Sequence, residues 1–344
     1  MDFSSYRDHR YLGFFDWTLR GIGQVVFQNN PLTGLVILSG ILINSWIYAM
    51  VCLLGTTAAT LTAIILKADR NLVRDGLYGF NGCLVALSLV AFTSADFRSG
   101  AVPSAAMIIY LICGTAFTTI AFAATAAVMA PYRVPPLTMP FVFVGWLLLL
   151  AILKFDAIEA GPMAKPVSPE QFSYTVPYIL PTWYMGIGTA IGQIYFQDNW
   201  ITGYVILVGI AVNSRVTAMM GLIGACVGAI VAAAFGGPEG AIRDGLFGYN
   251  AALTAMALGG IFIVLNWRSF AYAVFGAIMS TWLWSSIAIF LKPIGMPVLT
   301  STFVLVTWVM LLAMRSFKVL RPIEPTEAEN PERETLLHRV NKQI

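Results

Sequence analysis

Charged residues divide the 344-residue chain into long uncharged stretches: 21–66, 76–95, 99–132, 134–153, 171–197, 199–214, 216–238, 245–267, 269–291 and 293–314. All are dense in apolar side chains, and one helical crossing of a bilayer takes about 20 residues. The pattern therefore predicts about ten apolar helices joined by short loops. The first stretch is too long for one crossing and too short for three, so it predicts a partial segment and two spans. Residues 1–20 contain Asp2, Arg7, Asp8, Arg10, Asp16 and Arg20, which leaves no room for a signal-peptide apolar region. Residues 315–344 turn polar, with six Lys/Arg and five Glu, and predict a solvated tail interrupted only by Leu336-Leu337.

Composition sharpens this picture. Apolar residues make up 58% and charged residues 11% of the chain, where soluble domains carry about 25% charged. Mean hydropathy is +0.78. Soluble enzymes, nucleic-acid binders and disordered chains are excluded, and an all-α integral membrane protein is expected. A net charge of +3 is too small to point to an anionic partner. Lys and Arg number three in the N-terminal segment, three in the 67–75 loop and six in the tail, against two in the 154–170 connection. That distribution predicts both termini on the cytoplasmic side. Cys52, Cys83, Cys113 and Cys226 each sit in an apolar run without metal-type spacing, so they read as small packed residues.

The chain repeats itself. Residues 23–50 and 192–219 are identical at sixteen of 28 positions, at an offset of 169. The same offset aligns Arg74-Asp75-Gly76-Leu77-Tyr78-Gly79-Phe80-Asn81 with Arg243-Asp244-Gly245-Leu246-Phe247-Gly248-Tyr249-Asn250. A third block, Val134-Pro135-Pro136-Leu137-Thr138-Met139-Pro140-Phe141, pairs with Met296-Pro297-Val298-Leu299-Thr300-Ser301-Thr302-Phe303 at offset 162. The expected organisation is a first half over 1–160, an external connection over 161–176, a second half over 177–314 and a cytoplasmic tail over 315–344. Spans are expected over 33–49, 51–66, 76–95, 100–130 and 135–153 and at their counterparts. An odd number of crossings per half inverts the second copy, and inverted repeats place a substrate site where discontinuous helices meet. The glycine-bearing stretches 12–27 and 177–196 are short and end in amides, as a re-entrant half-helix would.

Three motifs carry candidate chemistry. The clusters Gln24, Gln28, Asn29, Asn30 and Gln193, Gln197, Asp198, Asn199 suit helix capping, while Gln24 and Gln193, four residues earlier, can equally face a permeating molecule. Asp75 and Asp244 read as N-caps of the spans that follow, with Arg74 and Arg243 as interfacial anchors. Phe80 and Leu84, like Tyr249 and Leu253, share one helical face, which serves packing or lines a pore with Phe27 and Phe196. In the third block, Pro140 would leave the Pro136 carbonyl without a helical partner, and Pro135-Pro136 would begin the helix. Thr138 and free carbonyls would then form a row of acceptors for N–H groups, with an ordinary proline kink as the plain alternative. In the second copy Thr302 replaces Pro140, so the two rows need not be equivalent.

The absences point the same way. The predicted span centres hold no ionisable residue of the kind proton relays and coupled pumps use, and the two histidines, His9 and His338, lie in the terminal segments. No metal site, cofactor motif or nucleotide-binding motif is present. A small, uncharged, hydrogen-bonding substrate moving down its gradient fits best. The alternative is an ion-coupled secondary transporter of a small amide or ammonium-like solute. An intramembrane enzyme would need a nucleophile and base at depth, and no candidate exists.

At these residues the chain resembles the urea transporter family, which is marked by a duplicated LPxxTxPF signature. Here the signature positions are Pro135, Pro136, Leu137, Thr138, Pro140 and Phe141, and Pro297, Leu299, Thr300 and Phe303. The resemblance implies an inverted repeat of five transmembrane helices plus one re-entrant half-helix per half, and a homotrimer with a pore in each protomer. It also implies a constriction at Thr138 and Thr300, hydrophobic slots at Phe27, Phe80, Leu84, Phe196, Tyr249 and Leu253, and amide contacts from Gln24 and Gln193. Urea would be the substrate and the lipid bilayer the surroundings, without cofactor, metal or nucleic acid. Short loops and the lack of an N-x-S/T sequon suit a bacterial inner membrane.

Overall fold

A computed structural model describes residues 9, 12–97, 100–158, 178–324 and 331–332. The expected connection over 161–176, His338, the Leu336-Leu337 patch and most of the tail lie outside the described residues. The described residues are helical, with a single isolated bridge between Ile263 and Pro322. The chain divides into two compact units, Met1–Val128 with Pro136–Lys165, and Met129–Pro135 with Pro166–Ile344.

The first unit contains α1 (Leu12–Gln24), α2 (Pro31–Asn44), α3 (Trp46–Ile65), α4 (Arg70–Arg74), α5 (Phe80–Thr93), α6 (Ala105–Met129) and α7 (Met139–Ala151). Helix α2 starts where Pro31 fixes φ and the Asn30 Oδ1 accepts from the Leu32 and Thr33 N–H groups at 2.8 and 3.3 Å. It stops at Ser45, whose extended backbone closes α2 and opens α3. The stretch expected as one span over 33–49 is therefore broken. Helices α1 and α2 form a hairpin so close that a methyl group on Gly34 would collide with the Leu19 carbonyl. Helices α3 and α5 also approach through small residues, with Gly55 and Gly82 each against the other's carbonyl. Between them the sulfurs of Cys52 and Cys83, 31 residues apart, lie 3.3 Å from each other.

The second unit contains α8 (Leu180–Gln193), α9 (Trp200–Asn213), α10 (Arg215–Ala234), α11 (Glu239–Arg243), α12 (Tyr249–Met256), α13 (Trp267–Leu291) and α14 (Ser301–Met314). The order and caps match those of the first unit: Asn199 Oδ1 accepts from the Ile201 and Thr202 N–H groups at 2.9 and 3.2 Å. One departure is visible. Helix α12 opens after Met256 into a π-turn, Ala257–Ile261, because Gly259-Gly260 adopts non-helical dihedrals, where the first unit has Val90-Ala91 in an unbroken helix. The chain leaving α14 folds back beneath this turn. The Val264 and Ile323 N–H groups donate to the Arg321 and Phe262 carbonyls at 3.0 and 2.9 Å. Further on, Glu332 accepts from the Ser214 hydroxyl at 2.8 Å and the Val216 N–H at 2.9 Å, placing a carboxylate on the N-terminus of α10. This part of the expected solvated tail is a docked element.

Four described helices, Trp46–Ile65, Ala105–Tyr132, Arg215–Ala234 and Trp267–Ile294, are long and apolar enough to cross a membrane. Five more are apolar but shorter, including α2, α5, α9 and α14 at 14 residues each. Fourteen residues span about 21 Å, less than the ~30 Å hydrocarbon core. The uncharged stretches overstate helix length here, because the turns that break them are made of neutral residues such as Asn, Gly, Pro and Thr. Large apolar side chains on the helices face outward, Ile289 and Phe290 at 73% and 78% exposure among them, as lipid contact requires.

Helix α1 holds a pair that the span pattern does not anticipate. Asp16 and Arg20, one turn apart, are both 8% exposed and joined at 2.7 Å. Arg20 also donates through Nη1 to the Asn29 carbonyl and side-chain oxygens at 2.7 and 2.8 Å. At the matching positions the second unit has Met185 and Thr189. Removing one partner of a buried pair strands the other, whereas replacing both need not destabilise. Asp16→Ala is therefore expected to destabilise the detergent-solubilised protein by about 3 kcal/mol or more. The double variant Asp16→Met/Arg20→Thr should lose clearly less in the same thermal unfolding assay.

Candidate functional site

The amide cluster after α1 is built around a helix end. The Gln28 N–H donates to the Gly23 carbonyl and the Phe27 N–H to the Gln24 carbonyl, both at 3.0 Å. This six-to-one, five-to-two pattern is a Schellman motif, whose left-handed residue is ordinarily glycine. Here it is Phe27, at φ 63°. The second unit repeats it, with Gln197 to Gly192 and Phe196 to Gln193 at 3.0 Å, and Phe196 at φ 59°. A bulky residue in this region costs about 1–2 kcal/mol. Both units hold a half-buried phenylalanine in that strained position.

Gln24 and Gln193 are anchored by one end of the amide. Nε2 of Gln24 donates to the Asp75 carbonyl at 2.8 Å, and that of Gln193 to the Asp244 carbonyl at 3.1 Å. Among the described residues no hydrogen bond reaches either Oε1, so the acceptor end is what each side chain can offer a ligand. Gln28 and Gln197 turn back instead onto the Val26 and Tyr195 carbonyls at 2.9 and 2.7 Å.

Asp75 and Asp244 are not N-caps of the following helices. Each closes a short helix, α4 or α11, and the next residue, Gly76 or Gly245, takes the left-handed C′ position at φ 75° or 73°. The Leu77 and Leu246 N–H groups reach back to the Leu72 and Ala241 carbonyls at 3.0 Å. The Asp-Gly pair therefore ends a helix, because glycine adopts positive φ without strain. Asp75 accepts from the Asn29 side chain at 3.1 Å.

The proline-threonine block folds differently from its expected form. Helix α7 begins at Met139, with Thr138 as N-cap and Pro140 within the first turn, where no intrahelical N–H is needed. No kink results. The Pro136 carbonyl is not left unpaired, since the Met139 N–H reaches it at 3.2 Å, and the Ser301 N–H and hydroxyl reach the Val298 carbonyl at 3.3 and 2.7 Å. Leu137 and Leu299, at φ 53° and 51°, turn the chain into these bonds. The expected open carbonyl at Pro136 is replaced by a tight turn, and the Val298 carbonyl, which Thr302 leaves free to keep a backbone partner, sits in a matching one. Each presents a buried threonine, Thr138 or Thr300, at 3% and 2% exposure.

One residue in each unit ties these pieces together, and the candidate list drawn from the sequence lacks it. Asn81 follows Phe80 at the start of α5. Its Nδ2 donates to the Leu137 carbonyl at 3.4 Å and its Oδ1 accepts from the Phe141 N–H at 3.1 Å. Asn250 does the same to Leu299 and Phe303, at 3.0 and 3.1 Å. The signal was the final residue of the duplicated Asp-Gly-Leu-x-Gly-x-Asn block. Within the first unit, then, the end of α1 at Gln24, with Phe27 just beyond it, is bound through Asp75 to the segment that leads from α4 into α5, which carries Phe80 and Leu84. Helix α5 is bound in turn through Asn81 to the turn carrying Thr138. The second unit laces Gln193, Phe196, Tyr249, Leu253 and Thr300 by the corresponding bonds.

The two sites are not equal. Phe80 packs edge-on to Phe122, with ring centroids 5.8 Å apart. Its counterpart Tyr249 donates its hydroxyl to the Leu299 carbonyl at 2.5 Å and accepts from the Trp284 indole at 3.2 Å. A carbonyl has two lone pairs. The Leu299 oxygen therefore has both engaged, by Tyr249 and Asn250, while the Leu137 oxygen has a single long bond from Asn81. Leu84 and Leu253 are buried at 0% and 1% exposure, as are Phe141 and Phe303. Among the described residues no group of three or more His, Cys, Asp or Glu side chains is placed to hold a metal.

Comparison with known proteins agrees with the duplicated signature. The sequence matches the urea transporter family over residues 15–315. It is 30% identical over 311 residues to urea transporter 1 of Rattus norvegicus, covering 88% of this chain and 77% of that protein. It is 31% identical, with the same coverage, to urea transporter 1 of Ovis aries. With its apolar helices and outward apolar surface, this integral membrane protein belongs to the urea transporter family.

Proposed function

We propose that the protein carries urea across the membrane passively, through a pore in each protomer of a homotrimer in a bacterial inner membrane with both termini cytoplasmic. Family membership supports urea as the substrate. The observation that carries the mechanism is the pair of buried threonines, each at the N-terminus of a helix, with a fully buried phenylalanine three residues on. Urea is flat, neutral, and has four N–H donors and one carbonyl. Stripping its water without replacement costs several kcal/mol. The Thr138 and Thr300 hydroxyls, the Leu137 carbonyl and the Gln24 and Gln193 side-chain oxygens are acceptors that would replace those contacts one after another. Phe27, Phe80 and Leu84, and Phe196, Tyr249 and Leu253, would supply the flat apolar walls. Several weak sites allow passage where one tight site would trap the solute. In this reading the two units form an inverted repeat, each with five crossings and a re-entrant half-helix at α1 or α8.

The ionisable groups support passive transport. Asp16 is bonded to Arg20 one turn away in the same helix, so the pair is neutral in sum and suited to structure. Radiolabelled urea uptake into proteoliposomes is expected to be unchanged by an imposed pH gradient or membrane potential. A requirement for either would install the ion-coupled alternative. Thr138→Val keeps shape and removes one hydroxyl, so stopped-flow urea flux should fall about five- to tenfold in a folded protein, the worth of one hydrogen bond. Phe27→Gly relieves the left-handed strain by about 1 kcal/mol while deleting a wall. Its discrimination of urea over glycerol in vesicle-swelling assays should fall severalfold although the protein remains folded.

A further inference from the structure

We propose that Asn81 and Asn250 are positioning residues that cap the signature helices from outside, so that Thr138 and Thr300 do not cap them. The proposal rests on the reading that these threonines meet the substrate. A threonine at an N-cap ordinarily takes extended backbone and accepts from the N–H two or three residues on. Neither threonine does so: no side-chain cap bond is made by Thr138 or Thr300, and their backbones lie at φ −94°, ψ 17° and φ −93°, ψ 21°. In α7 the second position is Pro140, which has no N–H, and the third N–H, Phe141, goes to the Asn81 Oδ1 at 3.1 Å. In α14 the third N–H, Phe303, goes to the Asn250 Oδ1 at 3.1 Å.

The other end of each amide fixes the turn. Nδ2 holds the carbonyl of the left-handed residue before the threonine, Leu137 or Leu299. Each asparagine thus grips the chain one residue before and three residues after its threonine, and both asparagines are 1% exposed. An amide can do this because it carries donor and acceptor in one plane without charge. Without the asparagine the third N–H would lose this acceptor in an apolar setting, and the threonine three residues before it carries the hydroxyl that ordinarily caps such a position. It would turn inward to cap its own helix, and an N–H donor passing by would lose it.

This makes a double-variant cycle diagnostic. Full-length protein carrying Asn81→Leu, Thr138→Val or both is reconstituted, and urea flux is measured by stopped flow, with folding checked by size exclusion and thermal unfolding. Each single change is expected to lower flux about fivefold, and the double no further than about twofold below the singles, because the same hydroxyl is lost twice. The same cycle with Asn250→Leu and Thr300→Val should show the same shared loss. A purely structural asparagine would give multiplying losses of about 25-fold in the double, and that result overturns the positioning role while leaving the threonine reading intact. Multiplying losses in the Asn250 and Thr300 cycle overturn it too, and decide the matter if Asn81→Leu does not fold. Undiminished flux in Thr138→Val would remove the threonine reading and this proposal together.

Discussion

A helix that ends inside an apolar medium leaves backbone N–H and C=O groups with no water to receive them, and this constraint organises the whole molecule. Helices such as α2, α5, α9 and α14 are too short to carry both ends to water, so their termini have to be answered from within. Neutral amides supply most of the answers. Asn30 and Asn199 cap α2 and α9, Gln24 and Gln193 bind the carbonyls that close α4 and α11, and Asn81 and Asn250 cap α7 and α14. A carboxylate could accept these N–H groups, but burying its charge costs far more. An amide also donates, so one side chain can link two segments.

The same bonds connect structure to transport. Because each amide joins elements that carry different candidate residues, the side chains proposed to meet urea are held by the interactions that make the short helices possible. Strain is concentrated at the same places. Phe27, Phe196, Leu137 and Leu299 occupy left-handed backbone that glycine would adopt without cost, and such outliers persist only where surrounding contacts over-determine them. Here the contacts are the Schellman bonds and the asparagine brackets. The strain fixes the direction from which each phenylalanine and threonine is presented.

Duplication has not kept the two copies equivalent. The ion pair of Asp16 and Arg20 steadies the first amide cluster by reaching Asn29, whereas the second copy has Met185, Thr189 and Asp198 at those positions. Tyr249 saturates the Leu299 carbonyl, while Phe80 has no hydroxyl to do the same for Leu137. Gly259-Gly260 opens a turn that the first copy lacks, and the returning chain occupies it. The Leu137 carbonyl of the first unit is left less fully engaged than the Leu299 carbonyl of the second.

The sequence by itself determined the apolar helical class, the duplication and the family signature, and it nominated side chains for the candidate site, because these depend on composition and on order along the chain. It also marked the Asn30 and Asn199 caps, which act within three residues. The tertiary structure alone decided what answers each helix end across 50 or more residues: Gln24 with Asp75, Asn81 with Leu137 and Phe141, Tyr249 with Leu299. It also decided that Asp75 closes a helix instead of opening one, and that Pro140 sits in a first turn and breaks nothing. The reason is physical. A hydrophobic pattern registers where water is excluded, but a left-handed residue or a buried amide takes its partner from whichever backbone group packing brings within about 3 Å, and that distance is not written in the order of the residues.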